Sequence, residues 1–318
     1  GIELPAALGT NVPPTNNTDM KTYGWELQIG WRDQIGDFKY GAKLSLSDSQ
    51  SKILRYGNPT GSLSKYVEGE LIGNIYGYTT IGIAKTDEEM QQHLASLPNG
   101  GQSALGSQWA AGDIMYADLN GDGKINNGSY TINDMGDMKK IGNSTPRFMT
   151  GINLDAAYKG WDLQMFWQGV LKRDWWPGDK NMTFWGVTDG EWWSTSFKEH
   201  LDYFRTSENP LGENLNSYYP RPIFNTKNNK SQTRYLQNAA YMRLKNIQVG
   251  YTFPKVWINK LMLQNLRIFV SGENLLTITS LSDTMDPETC GAGYQSTEQA
   301  NGTVYPLAKT ISFGLSVN

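Results

Sequence analysis

Segments of alternating apolar and polar residues are joined in this chain by links of very unequal length. That inequality constrains the fold more than any single residue does. Period-two alternation marks a strand with one apolar face. In residues 24–32, Trp25, Leu27, Ile29 and Trp31 share one face, with Glu26, Gln28, Gly30 and Arg32 on the other. In 38–46, Phe38, Tyr40, Ala42, Leu44 and Leu46 oppose Lys39, Gly41, Lys43 and Ser45. The same pattern runs through 151–158, 161–171, 247–253, 266–270 and 311–317, where Ile311, Phe313, Leu315 and Val317 form the apolar row. The links are short at 32–37 and at Lys159-Gly160, and moderate at 254–262. They are long over about 48–147, 172–236 and 275–305.

Short and long links in alternation are the habit of an outer-membrane barrel, with short periplasmic turns and long extracellular loops. Aromatic residues cluster beside the short turns, where a membrane interface favours amphipathic rings. Turns near 34, 159 and 257 on the periplasmic side leave the last strand, 307–317, running toward the periplasm. A soluble β-sandwich also alternates, with one face in a core. Its turns recur every 8–12 residues or so, and a loop of roughly a hundred residues counts against a compact soluble domain. The windows amount to about six strands, whereas the smallest single-chain barrels need about eight, and an open edge cannot persist in lipid. The expected fold class is therefore all-β: part of a transmembrane antiparallel β-barrel with long extracellular loops. The chain opens Gly1-Ile2-Glu3-Leu4-Pro5, without Met, a basic stretch or an apolar stretch, so a fragment or a processed chain is expected.

Composition agrees. Of 318 residues, 34 are Gly and 11 are Trp, and only 19% are charged, a balance suited to strands and polar loops. No stretch approaches the 18 or so apolar residues of a membrane helix; barrel strands leave no such signal. The net charge is -3 and no basic block occurs, which argues against nucleic acid. The single cysteine, Cys290, allows no internal disulfide, and His93 and His200 sit in no catalytic or metal-ligand spacing. No nucleophile, phosphate-loop or redox motif appears, so no enzyme activity is expected.

Three local features invite a site. Asp118, Asn120, Asp122, Lys124 and Asn126 follow the spacing of a calcium loop, with Gly123 at the sharp turn. Position 12 of that count is Ser129 rather than the bidentate Glu of an EF-hand, and Asp134 and Asp137 lie further on. A structural Ca2+ and a metal-free polar turn are the two readings. Trp175, Trp176, Trp185, Trp192 and Trp193 crowd one predicted extracellular loop. They could pack inside it, meet a partner protein, or stack on a sugar ring. The Tyr218-Tyr219-Pro220-Arg221-Pro222 run could order the loop or dock a partner. Asp189 and Glu191 raise a two-carboxylate glycosidase reading, but nothing places them around a bond. Residues 86–94 read as a small helix capped by Thr86, with Glu89 at the third helical position.

The run Gly112-Asp113-Ile114 through Asp118-Leu119-Asn120-Gly121-Asp122-Gly123-Lys124-Ile125 resembles a segment of the SusC/RagA-type TonB-dependent transporters of the Bacteroidetes outer membrane. Ile141-Gly142-Asn143 with Pro146, Tyr158-Lys159-Gly160-Trp161-Asp162-Leu163 and Phe166-Trp167-Gln168-Gly169 are similar to the segments that follow it there. So is Tyr235 through Ile247, reading YLQNAAYMRLKNI, as are Asp19-Met20-Lys21, Gly24-Trp25-Glu26-Leu27 and Ser271-Gly272-Glu273-Asn274-Leu275. These stretches cover nearly the whole chain in order. The resemblance implies that residues 1–318 are the C-terminal part of a transporter barrel of the roughly 22-stranded, plugged size class, located in the cell outer membrane. The family's plug and TonB-contacting segment lie N-terminal of the barrel and are not in this chain. The implied function is active import of a glycan or peptide, with no required cofactor. The implied partners are a SusD-type surface lipoprotein, TonB through the missing N-terminal region, and membrane lipid. Glu26, Gln28, Asn153, Asp155, Asp162, Gln164, Gln168, Asn246 and Gln248 would then face the lumen. A passive porin or adhesive barrel, and a soluble carbohydrate-binding sandwich, are the alternatives. Family barrels often end in an aromatic residue; this chain ends Val317-Asn318.

Overall fold

The computed structural model describes residues 16–290 and 304–318. Seven strands form one sheet, each beside the next in chain order. They are β1 (Asp19–Ile35), β2 (Phe38–Arg55), β3 (Arg147–Tyr158), β4 (Trp161–Lys172), β5 (Tyr241–Thr252), β6 (Leu266–Thr279) and β7 (Thr310–Val317). From β2 onward every neighbouring pair is antiparallel. Each alternating window lies within one strand of this sheet.

Registers carry the apolar rows across the sheet. Leu154 faces Met165, which faces Ile247. Ala156 faces Leu163, which faces Val249, then Val270, then Phe313. The outer members of this row are open, Phe313 being 82% exposed. The opposite face is polar. Asp155 pairs with Gln164, and Arg267 clamps Asp162 through Nε (3.0 Å) and Nη2 (2.6 Å). A sandwich would cover the apolar row with a second sheet; here the row stays exposed along much of its length.

Turn chemistry sets the short links. Lys159 and Gly160 join β3 to β4 with φ of +46° and +93°, the type I′ geometry that matches strand twist. A Cβ on Gly160 would stand 2.7 Å from the Thr252 carbonyl oxygen.

The strands outrun their windows. Tyr241–Thr252 extends well before Ile247 because the register shifts between Leu244 and Asn246. Lys245 is the extra residue against β4, and against β6 it stands across from two unpaired residues, Asn274 and Leu275, where Asn274 has φ +54°. This β-bulge changes the parity, so Leu244 follows Trp167 in the apolar row while Arg243 lies opposite Gln168.

The chain divides into two compact units. One comprises Gly1–Tyr23, Gln50–Asn143 and Gln232–Arg234; the other comprises Gly24–Ser49, Ser144–Ser231 and Tyr235–Asn318. In the first, two small antiparallel ribbons form: Asn74–Tyr78 with Met138–Asn143, and Thr80–Ile83 with Ile114–Tyr116. Its helix α1 (Asp87–Ala95) starts where the sequence predicts. Thr86 caps the Glu89 amide at 3.2 Å, but Glu89 reaches back to the Lys85 amide (2.6 Å) rather than to that of the cap residue. Met90, Ile114, Tyr116 and Ile125 are sealed in this unit's core. No helix among the described residues is long and apolar enough to cross a membrane, which says nothing about strands.

Candidate functional site

The aromatic segment after β4 builds its own core. A two-residue ribbon pairs Asp174–Trp175 with Gln237–Asn238 and closes its base. Asn181 caps the short helix Met182–Trp185 by accepting the Phe184 amide at 3.1 Å. Phe184 and Trp185 are thereby held edge-to-face at 4.9 Å. Trp185 lies 4.8 Å from Tyr235 between ring centres and donates its indole N–H to the Gly178 carbonyl at 2.7 Å. Tyr219 stacks on Tyr235, and burial pushes its phenol above the ordinary value. His200 accepts the Phe197 amide on Nδ1 (2.9 Å), and its Nε2–H donates to the Phe184 carbonyl (3.1 Å). Burial holds its pKa below the usual 6.5.

The five tryptophans therefore separate. Trp175 and Trp185 are buried, and Trp176 is half-buried and edge-on to Trp185 at 6.1 Å. Trp192 and Trp193 form a different group, an edge-to-face pair at 5.2 Å that is 79% and 52% exposed. Tyr218 and Tyr219 of the Tyr-Tyr-Pro run point into the packed cluster, with Tyr218 5.4 Å from Tyr235. Phe224, which the sequence reading did not single out, is exposed. Asp189 and Glu191 form no catalytic pair. Asp189 is enclosed and accepts the Glu191 amide (2.7 Å), while Glu191 meets Lys180 at 3.3 Å.

The Asp118 loop is a chain of side-chain-to-amide turns. Asp118 accepts from Gly121 N (2.6 Å) and Gly123 N (2.8 Å). Asn120 accepts from Asp122 N (2.9 Å), Asp122 from Lys124 N (3.1 Å), and Asn126 from Gly128 N (2.7 Å). Asp137 closes the loop by accepting from Leu119 N (2.9 Å) and Asn126 N (2.8 Å). Burial pushes the Asp137 carboxyl up, and the charge of Asp118 beside it adds to that. Burial would raise Asp118 too, but the Gly123 and Gly121 amides outweigh it and hold Asp118 below the carboxylate norm. Asp118, Asn120, Asp122, Asp137 and the Lys124 carbonyl are the oxygens that could serve a cation. The side chains of Asp118, Asn120 and Asp122 already accept backbone amides of the same turn. Among the described residues, no group of three or more His, Cys, Asp or Glu side chains is arranged to hold a metal.

Sequence pattern missed charged positions on the polar face, Arg243, Arg267 and Glu273 among them. Arg267 joins Asp162 there, and its signal was its place in the alternation of β6.

No family model matches the chain. Over 336 aligned residues it is 27% identical to TonB-dependent receptor P3 of Formosa agariphila, an alignment covering 99% of this chain and 30% of the receptor. TonB-dependent receptor P39 of the same organism is 23% identical, with 99% of this chain and 32% of the receptor covered. Among solved structures, the RagAB peptide transporter superimposes with a TM-score of 0.66 at 17% identity, covering 99% of this chain and 31% of that one. The RagAB peptide importer in its closed-closed state gives 0.62 at 17%, with 99% and 31% covered. The chain thus spans about a third of the length of the curated relatives it matches. At such identity the solved structures speak to fold alone: the sheet has the fold of a section of that barrel, and its apolar face is open. Over nearly its whole length the chain is thus similar to part of TonB-dependent receptors, and its fold is that of a section of an outer-membrane transporter β-barrel.

Proposed function

We propose that this chain supplies wall strands and outer loops to a barrel that imports a nutrient across the outer membrane. The observation that carries this reading is the sidedness of the sheet, apolar and open on one face, polar and charged on the other. Lipid takes the first face and a hydrated lumen the second. Energy would come through TonB, by way of plug and TonB-contacting regions elsewhere in the full-length protein. A SusD-type surface lipoprotein would sit over the long loops and pass a glycan or a peptide inward. The RagAB relatives are named as peptide transporters, which favours peptide without excluding glycan. Trp192 and Trp193 are the residues of the aromatic loop best placed to meet that lipoprotein or its ligand. They are large and exposed, and they stand on a segment whose rigid core limits the entropy lost on contact. In this reading the Asp118–Asn126 loop is a structural turn, with Ca2+ as an accessory ligand at most.

The test is co-purification of the lipoprotein with the full-length transporter, together with uptake in cells. Replacing Trp192 and Trp193 with alanine should cut lipoprotein capture by about tenfold or more while the barrel still assembles. Unchanged capture and unchanged uptake would remove the pair from the site. Uptake that persists in cells depleted of TonB would remove the active-import reading itself.

A further inference from the structure

The link from β5 to β6 leaves three large apolar side chains open: Val256 is 76% exposed, Trp257 60% and Met262 94%. A short helix, Lys255–Ile258, runs into a 3-10 turn, Asn259–Leu261, and Met262 ends it with φ +55°. Ile258 is buried and anchors the turn from within. The Phe253 amide donates to the Leu266 carbonyl at 2.9 Å and the Leu263 amide to the Ile258 carbonyl at 3.3 Å, so the link is folded back on the end of the sheet.

Trp257 continues the open apolar row. Val249, Tyr251 and Phe253 alternate onto one side of their strand. Tyr251 lies opposite Trp161 on β4 and Ile268 on β6, and both of these are exposed. Rings then follow one another off the end of the sheet. Trp161 lies 4.9 Å from Tyr251 between ring centres, Tyr251 5.1 Å from Phe253, and Phe253 6.3 Å from Trp257. The surface that leads to Trp257 is therefore the face that the barrel reading gives to lipid. An indole at the end of such a row, apolar in body with one N–H, suits the boundary between acyl chains and headgroups.

The same link is basic. Lys255 and Lys260 are exposed, and residues 253–266 contain no acidic residue. Lys260 follows Trp257 by three residues, which on a helical turn sets both on one side. Lys255 opens the turn. A lysine stem can lie along apolar surface while its ammonium reaches a polar layer.

We propose that the 254–262 link is a binding site for anionic phospholipid. Trp257 sits at the boundary of the acyl chains, and Lys255 and Lys260 hold the headgroup phosphates. Lipid also covers Val256 and Met262, which water would otherwise wet. This inference rests on the membrane-barrel reading and adds a choice of lipid to it.

The experiment is quenching of tryptophan emission by brominated lipid, on full-length protein in vesicles of phosphatidylcholine and phosphatidylglycerol. Bromine is carried by one lipid or the other at equal mole fraction. The Trp257 component is the difference between a protein and its Trp257→Phe counterpart. Brominated phosphatidylglycerol should quench that component about threefold more than brominated phosphatidylcholine. Lys255→Gln combined with Lys260→Gln should bring the two lipids level while Trp257 stays quenched. Equal quenching in unaltered protein would overturn the proposal, as would a preference that survives loss of both lysines. A Trp257 component that neither lipid quenches, with the remaining emission quenched, would also overturn it and would leave the barrel reading standing. If no tryptophan emission is quenched, the barrel reading fails and the lipid site with it.

Discussion

His200 shows how one side chain sets the chemistry of a loop. Its Nδ1 accepts the Phe197 amide and its Nε2–H donates to the Phe184 carbonyl, so the ring is held as one neutral tautomer. A second ring proton would face the Phe197 N–H. Burial lowers its pKa from the ordinary value of 6.5, so the folded loop binds that proton less readily than the unfolded chain. The loop is at full stability above about pH 6.5 and loses stability as pH falls from there toward the lowered folded value. Tryptophan emission should shift to the red across that window, and His200→Asn should flatten the response. His93, also lowered by burial, lies in the other unit and accounts for any remainder. Gly186 has φ +51°, and any Cβ on it would strike the His200 ring. Gly186→Ala should therefore destabilise the loop by more than about 1 kcal/mol, read from its midpoint in thermal unfolding. At this scale the sequence told part of the story. It marked tryptophans crowding one segment. It did not show which were buried, because Trp185 is covered by Tyr219 and Tyr235, which are distant in the chain.

Elements explain where alternation was readable and where it broke. Residues 38–46 face two different environments and alternate cleanly. At Lys245 the bulge reverses the parity, so a two-residue period beginning at Ile247 cannot be followed back to Tyr241. The reversal puts Arg243 among carboxylates. Its side chain is 4% exposed and donates to Thr277 Oγ1 (2.7 Å), Glu288 Oε1 (2.8 Å) and Asp286 Oδ2 (2.8 Å), while Lys245 reaches Glu288 at 3.2 Å. These bonds fasten the 286–288 segment to β5. Arg243→Ala leaves two partly buried carboxylates facing an empty place and should cost about 3–5 kcal/mol. Limited proteolysis should then cut near 281–290 much faster than in unaltered protein. Equal cleavage rates would show that the cluster does not hold that segment.

For the whole molecule, the unequal links and alternating faces made the barrel legible without any one decisive residue. The stretches most similar to the family lie both in strands, such as Trp161–Leu163, and in the Asp118 turn. Apart from α1, the architecture of Gln50–Asn143 was not legible, because two-stranded ribbons of three to six residues leave too short a period to detect. The sidedness of the sheet yields its own prediction. Arginine at Val249 or Leu163, in the apolar row, should destabilise the folded barrel by about 2–4 kcal/mol, whereas arginine at Gln164 should cost far less. Unfolding from lipid vesicles in denaturant checks this.

Nitroxide accessibility measures the central claim most directly. In full-length protein returned to lipid, single labels at Met165, Val249 and Ile268 would be compared with labels at Gln164, Gln248 and Asp155. The account predicts that the first three collide with dissolved oxygen and are shielded from a water-soluble nickel reagent, with the reverse for the second three. Nickel access to both rows, or a full-length protein that leaves the membrane fraction without detergent, would contradict it.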